Sequence, residues 1–361
     1  MLGENHSHKV RGPRMRSKNI TDRDNYLRAL EYRNPAWIPI TFEIVPAMYR
    51  QRGKEISELI SRHPSLFGGG IREFDSSDPL FSYGSVFRDD WGCVWRNAQD
   101  GVIGQVVEHP LKDWSALKHL VPPDPLKQVN WTELRKAADA ERKAGRPVVG
   151  TPESFSHGGF FDRLHFLRGL ENLFIDMLEG APQLDLLIEM VLDYNMKYIR
   201  KYLELEPDTL WLHGDIGTQN GLMISMKLFR RYLKPSYSEM FHACRNAGCH
   251  VWYSSDGNIM EAVPDLVECG VSVHDPQVRA NTIEGIRNAY KGRLCTLVDL
   301  DEQMLPVCLP EDIRAQMKQI VEELGDPRGG LMIFAAPSVD VPPANLEAIC
   351  AAWDEYCFET Y

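Results

Sequence analysis

The chain contains no Cys-x-x-Cys pair. Its eight cysteines (Cys93, Cys244, Cys249, Cys269, Cys295, Cys308, Cys350 and Cys357) are scattered through apolar stretches. That pattern argues against a disulfide framework and zinc-cluster spacing, and fits reduced, buried thiols in a cytoplasmic protein. No apolar run approaches the roughly 18 residues needed to cross a bilayer. There is no surplus of positive charge: 40 Lys and Arg face 51 Asp and Glu, for a net −11, whereas a nucleic-acid partner announces itself by a basic face. Met1 to Lys18 is polar and basic without an apolar centre, so it lacks the pattern of a secretory signal and reads as part of a flexible arm over 1–20. A Gly-x-Gly-x-x-Gly after the first strand, a phosphate-binding loop with its lysine, and a Gly-x-Ser-x-Gly elbow are all missing. Internal repeats and low-complexity segments are absent as well.

What remains is an ordinary globular composition, 43% hydrophobic and 25% charged over 361 residues. One domain over 21–361 accounts for it. Thr21 followed by Asp22 and Asp24 predicts a capped helix that Asn34-Pro35 stops. Eight apolar stretches then read as strands: 37–44, 68–74, 147–153, 209–213, 250–257, 271–276, 293–301 and 331–338. Helical patterns separate them, several closed by glycine, such as Gly248 and Gly270. Between about 75 and 125 that rhythm lapses. The alternation of 87–95 and 104–108 around Asp100-Gly101 predicts a β-hairpin inserted after the second strand. Eight strands alternating with helices predict an α/β chain folded as a (β/α)8 TIM barrel, with an N-terminal helical extension and that insertion. A doubly wound sheet is the alternative.

A barrel collects reactive groups at the carboxyl ends of its strands. Here those ends supply Glu43, Glu153 with His157, His213 with Asp215, Asp256, His274 with Asp275, and Asp299 with Asp301, alongside few lysines or arginines, Arg72 being the main exception. Such a mouth is acidic and suits cations, metals or acid–base work. His213 and Asp215 are two apart, so a strand sets both on one face, ahead of the glycine-rich run Gly214 to Gly221. Each candidate has an ordinary structural reading. Asp256 before Gly257 is a common turn residue, His274 is equally a satisfied core histidine, and one of Asp299 and Asp301 is free to be solvated while the other has a raised pKa.

Several stretches together resemble the uroporphyrinogen decarboxylase superfamily. They are Gly214-Asp215-Ile216-Gly217-Thr218-Gln219-Asn220-Gly221, Tyr232-Leu233-Lys234-Pro235, Ser255-Asp256-Gly257-Asn258, Asp89-Asp90-Trp91-Gly92 and Leu167-Arg168-Gly169. The resemblance covers roughly 20–361 and implies a barrel with one of two chemistries. One is cofactor-free decarboxylation of a porphyrinogen, and the other is methyl transfer between a corrinoid and an acceptor, usually with zinc. The decarboxylases carry an Arg-Gln-Ala-Gly-Arg run after the first strand, where this chain reads Thr41-Phe42-Glu43-Ile44-Val45-Pro46. At the positions of the zinc ligands of the thiol methyltransferases stand Ser254, Asp256 and about Val339, so none of the usual ligands is present and zinc is left open.

The leading expectation is a corrinoid-linked methyltransferase. It takes a methyl group from a small methylated substrate, such as a methoxy compound or a methylamine, and hands it to a corrinoid on a separate partner protein. His213, Asp215 and Asp256 are its expected catalytic groups. Glu43, His157, Gln219, Asn220, Tyr253, His274, Asp299 and Asp301 are its expected substrate-binding groups. A decarboxylase acting on a different substrate, and a non-catalytic barrel that binds a corrinoid or tetrapyrrole, are the alternatives. The resemblance also implies a homodimer.

Overall fold

The structure, a computed structural model, describes residues 20–44, 46–67, 81–127, 129–152 and 159–359. Its strands are, in chain order, β1 (Ile40–Phe42), β2 (Val86–Arg88), β3 (Val94–Arg96), β4 (Gln105–Glu108), β5 (Val149–Gly150), β6 (Thr209–His213), β7 (Gly217–Thr218), β8 (Gly221–Leu222), β9 (His250–Ser254), β10 (Val273–His274), β11 (Cys295–Asp299) and β12 (Leu331–Ala335). Seven of them form one parallel sheet in the order β1-β12-β11-β10-β9-β6-β5. The earliest strand therefore pairs with the last, Ile40 against Ile333 and Phe42 against Ala335. Every other neighbour is the next strand of the sheet in chain order. A doubly wound sheet reverses direction at a switch point near its first strand, and this one does not. The architecture is TIM-barrel-like, as expected from the alternation of elements; the strand expected over 68–74 lies outside the described residues, as does the arm over 1–19.

Strand alternation divides the sheet into two faces. Leu210, Leu212, Val251 and Tyr253 point outward and are buried under the helices Phe160–Arg168, Pro182–Leu203 and Lys234–Asn246. Val298, Leu331, Ile333 and Ala335 do the same under Pro310–Leu324 and Pro343–Glu359. Each fully buried Leu, Ile or Val contributes about 1.5–3 kcal/mol, so these two layers supply most of the cohesion. The inner face carries Val273, Cys295, Leu297 and Met332, packed with Ala29 and Leu30 of the helix Asp22–Leu30. All eight cysteines are free thiols, seven of them buried. No helix among the described residues is long and apolar enough to cross a membrane.

The helix Asp22–Leu30 starts with a reciprocal cap, in which Thr21 Oγ1 accepts from the Asp24 amide at 3.1 Å and Asp24 from the Thr21 amide at 3.4 Å. It lies across the amino ends of the strands. Arg23 bonds Asp208 at 2.9 Å and Tyr26 meets Thr209 at 3.0 Å, where β6 begins. Glu31 bonds His250 at 3.0 Å at the start of β9, and Tyr32 donates to the Leu294 carbonyl at 2.9 Å just before β11. The Gly330 amide, preceding β12, donates to Ala29 at 2.8 Å. One end of the sheet is thereby covered, and the carboxyl end is left for chemistry.

The insertion differs from the expected single hairpin. It is a three-stranded antiparallel sheet, β2-β3-β4, because the run 87–95 is split by its own turn. Asp89 Oδ1 accepts the amides of Trp91 and Cys93 at 3.0 and 2.8 Å, while Oδ2 accepts Trp95 Nε1 at 3.0 Å and Arg163 at 2.9 Å. Gly92 supplies the positive φ of 90° that the turn needs. Behind this sheet, Arg168 is held between Asp176 at 2.7 Å, the carbonyls of Leu111 and Lys112 at 2.8 and 2.6 Å, and the ring of Trp114 at 4.5 Å. The helix after β6 also departs from a uniform α-helix. Pro235 has no N–H to give to Arg231, and the Lys234 amide reaches back to Phe229, so a π-turn spans Phe229–Leu233.

Candidate active site

The inner face of the carboxyl strand ends carries the candidate chemistry. His213 on β6 stands beside Ser254 on β9 in the sheet register, and Asp215 and Asp256 follow two residues on. The loops after these two strands are pressed together. Asn258 donates its amide to the Thr218 carbonyl at 2.7 Å, the Asp256 amide donates to Asp215 Oδ1 at 2.9 Å, and the Ile216 amide to Ser255 Oγ at 3.1 Å. A Cβ at Gly217 would stand 2.4 Å from the Asp256 carbonyl oxygen, and one at Gly257 would stand 2.6 Å from that of Thr218. Two of the glycines thus exist so that two backbones can touch and set Asp215 against Asp256. The run between them is a tight hairpin, β7–β8, with Gln219 and Asn220 exposed at its tip.

His213 belongs to a larger group than its own strand reveals. Its Nε2 is 3.6 Å from Asp162 Oδ2 and 3.7 Å from Asp215 Oδ1. Asp162, in the first turn of the helix Phe160–Arg168, is buried; it accepts the Gly159 amide at 3.0 Å and faces His165 Nε2 at 3.2 Å. Burial opposes its charge, but the His165 hydrogen bond, the neighbouring imidazoles and the Gly159 amide outweigh this and hold its carboxyl below the usual range. Asp215 goes the other way. Burial raises it, helped by the charges of Asp162 and Asp275 and opposed by His213 and the Asp256 amide.

Across the mouth the carboxyls crowd one another. Burial, then the charges of Asp215 and Asp275, push Asp256 up to about 6, against the pull of His213 and His274. Asp256 is reached by solvent, which moderates that rise. Gln277 holds it, donating to Asp256 Oδ1 at 3.0 Å while accepting the Gly257 amide at 3.0 Å. Asp275 accepts Ser254 Oγ at 2.6 Å and Trp252 Nε1 at 3.1 Å through its Oδ2. Asp299, at the end of β11, is raised well above the carboxylate range by burial and by Glu302, Asp275 and Asp256. Glu302 is pushed up to about 7 by burial and by Asp256, Glu43 and Asp301.

The structure brings together His213, Asp215, Asp256, Asp299 and, through its charge on Glu302, Glu43. Asp301 turns to the rim and bonds Arg279 at 2.8 Å. His274 and Tyr253 have the opposite strand parity and belong to the outer layer. His274 is 1% exposed, donates Nδ1 to the Tyr253 carbonyl at 2.9 Å and stacks between Tyr253 and Tyr290. Tyr253 donates to the Gly214 carbonyl at 2.7 Å. Both set backbone positions behind the mouth. His157 and Glu153 lie outside the described residues. Asp162, Gln277 and Glu302 are additions that sequence reading missed; only Glu302 had a signal, following Asp299 and Asp301 directly. The grooves lined by Arg200, Glu239 and His242 and by Asp185 and Arg231 lie on outer helices, away from these groups.

Ser254, Asp256 and Val339 offer a hydroxyl already donated to Asp275, a carboxyl and an alkyl group. That donor set does not fit a zinc-thiolate site. Among the described residues no three of His, Cys, Asp and Glu are grouped to hold a metal.

Because Glu302 is raised from 4.5 to about 7, its ionisation works against the fold. A raised folded-state pKa gives a contribution that is full below the unfolded value and lost as pH rises through about 7. Glu302→Gln is therefore expected to stabilise the protein by on the order of 1–3 kcal/mol at pH 8.5 and not at pH 4. Urea unfolding at the two pH values checks this, and an equal effect at both contradicts it.

Compared with known proteins, residues 80–356 match the family model for uroporphyrinogen decarboxylase (URO-D). Among solved structures, a methyltransferase from Methanosarcina mazei is 17% identical with a TM-score of 0.68, the match covering 94% of this chain and 99% of that one. At that identity the likeness establishes a shared fold. A D-psicose 3-epimerase is 10% identical with a TM-score of 0.38, covering 64% of this chain and 82% of the epimerase, too low to carry an argument. No curated protein matches the chain by sequence. The family model spans well over half of the residues, and the protein belongs to the uroporphyrinogen decarboxylase family.

Proposed function

We propose that the protein is a methyltransferase, moving a methyl group from a small methylated substrate to a reduced corrinoid on a separate carrier protein. The observation that carries this reading is the mouth itself, where, among the described residues, carboxyl groups converge and Arg279 at the rim is committed to Asp301. Asp256, with its pKa near 6, is a group able to deliver a proton to a leaving atom near neutral pH. Asp215 and Gln277 fix its backbone and side chain, and His213 stands beside Asp215 with Asp162 and His165 behind it. The carrier's corrinoid is a co-substrate in this reading, and no residue is assigned to holding it.

Decarboxylation of a polycarboxylate needs cations around the substrate. Arg50 and Arg52, in the first half of the helix that follows β1, are committed elsewhere. Arg50 bonds Asp100 at 2.7 Å, and Arg52 bonds Glu55 and the Val339 carbonyl, the latter at 2.9 Å. A substrate bearing many carboxylates would meet Asp256, Asp299 and Glu302 instead.

The test is incubation of the purified chain with a panel of methylated compounds, with and without a reduced corrinoid carrier protein. Methyl loss only when the carrier is present is the expected result. Release of CO2 from a carboxylated porphyrinogen by the chain alone would assign it to the decarboxylases and end the methyl-transfer reading. Tight corrinoid binding without turnover, unaffected by Asp215→Asn and Asp256→Asn, would make it a binding barrel.

A further inference from the structure

Below the acidic rim the inner face also carries aromatic side chains. Trp211 on β6 and Trp252 on β9 are paired in register, with ring centroids 5.8 Å apart, and Trp252 meets Phe334 of β12 at 6.3 Å. All three are only partly buried, and Trp252 and Phe334 pack against the inner cluster of Val273, Cys295, Leu297 and Met332. Trp252 is fixed by its bond to Asp275, while Trp211 Nε1 has no hydrogen-bond partner.

Two carboxyl oxygens beside these rings are also without a hydrogen-bond partner, on Asp275, which holds Trp252, and on Asp299, which pairs with Phe334 in register. Asp275 Oδ1 and Asp299 Oδ1 make no hydrogen bond, although the residues are only 9% and 5% exposed. Buried acceptors of this kind are costly unless something meets them. The strand-end segments 213–221, 254–258, 275–277 and 299–303 contain no lysine or arginine to do so, Arg279 is committed to Asp301 at the rim, and His274 Nδ1, 3.4 Å from Asp275 Oδ1, donates to the Tyr253 carbonyl. A group that satisfies both layers carries positive charge for the Asp275 carboxylate and polarised methyl groups for the ring faces. A neutral ether offers the second without the first.

We propose that the methyl donor is a methylated ammonium ion, its N-methyl groups resting on Trp211, Trp252 and Phe334 and its charge met by the Asp275 carboxylate. This inference rests on the methyl-transfer reading for its chemistry, but not for its binding. In the transfer the C–N bond breaks and its electron pair stays on nitrogen. The methyl group passes, without that pair, to the two-electron nucleophile the carrier supplies. The amine departs neutral and takes the Asp256 proton, which solvent then restores. Charge already on nitrogen activates the bond, so an ammonium uses the site better than an ether.

The matched probes are choline and its neutral isostere 3,3-dimethylbutan-1-ol, with tetramethylammonium as a third, titrated into the full chain by calorimetry and tryptophan fluorescence. Choline or tetramethylammonium is expected to bind at least about tenfold more tightly than the alcohol. Asp275→Asn, which can still accept from Ser254 and Trp252, is expected to remove that preference while leaving binding of the alcohol unchanged. Trp211→Leu, which breaks no hydrogen bond, is expected to weaken all three probes. Equal binding of cation and alcohol by the unaltered chain, or no binding of either cation across the millimolar range, overturns the proposal. Cation preference without methyl transfer overturns the proposed reaction and keeps the site. Transfer from neutral methoxy compounds without cation preference does the reverse.

Discussion

Replacing Arg168 by alanine is expected to destabilise the protein by about 3–5 kcal/mol, the cost of leaving a buried charge without its partner. Arg168 and Asp176 are 10% and 6% exposed, so water has little access to compensate. The same guanidinium also satisfies the Leu111 and Lys112 carbonyls and covers the Trp114 ring. Removal therefore leaves one carboxylate and two carbonyls short, and loosens the segment that follows the β2-β3-β4 sheet. A second variant separates charge from structure. Changing Arg168 to Met and Asp176 to Leu together removes both charges and is expected to recover only the part of the loss due to the stranded charge, since the Leu111 and Lys112 carbonyls and Trp114 Nε1 are left without their partners. Urea unfolding with a constant m-value is the measurement. A loss below about 1 kcal/mol for the single variant would show that the pair is solvated in practice.

The second large effect concerns the proposed reaction. Asp256→Asn is expected to lower kcat by about 10²–10⁴, the usual worth of a positioned general acid. Asparagine retains an oxygen for the Gln277 donor and leaves the amide that bonds Asp215 untouched, so the loop should keep its place. The pH profile gives the sign. A donor raised to about 6 is protonated below that value and loses its proton above it, so kcat of the unaltered chain should fall as pH rises through about 6. In Asp256→Asn that limb disappears and the residual rate is flat across it. A variant rate within threefold of the parent, or a parent rate that increases through this range, would falsify the assignment of Asp256 as the proton donor.

Much of the fold was legible because strands and helices differ in period, and eight alternations with glycine-closed helices leave few architectures. The pairing of β1 with β12 was not, since no local pattern states which two distant strands touch. The insertion was misread because Asp89 makes four hydrogen bonds to residues up to 74 positions away, and only the first two are foreshadowed by the Asp-x-x-Gly spacing. At the site, parity within a strand set His213 on one face with Asp215, and the two stand 3.7 Å apart. Applied with equal strictness, it excludes Tyr253, one residue before Ser254, from the inner face. Asp162 escaped because it lies 51 positions from His213 in a helix whose other residues read as ordinary packing; their meeting is purely tertiary. The raised carboxyls were visible only as acidic residues, because burial and mutual repulsion are properties of the assembled mouth.

The helix across the amino ends of the strands has a consequence for how the chain reaches this state. Its residues bond partners at β6, β9, β11 and β12, and Tyr32 is 262 positions from the carbonyl it binds. Contacts of such separation form late, since the loop entropy of closing them comes before the reward. During synthesis the helix waits through several strand–helix units before its seat exists, with Tyr26, Leu27 and Leu30 uncovered. Quality control of this protein should accordingly focus on a short apolar segment near its beginning, whose docking reports that the last strand has arrived.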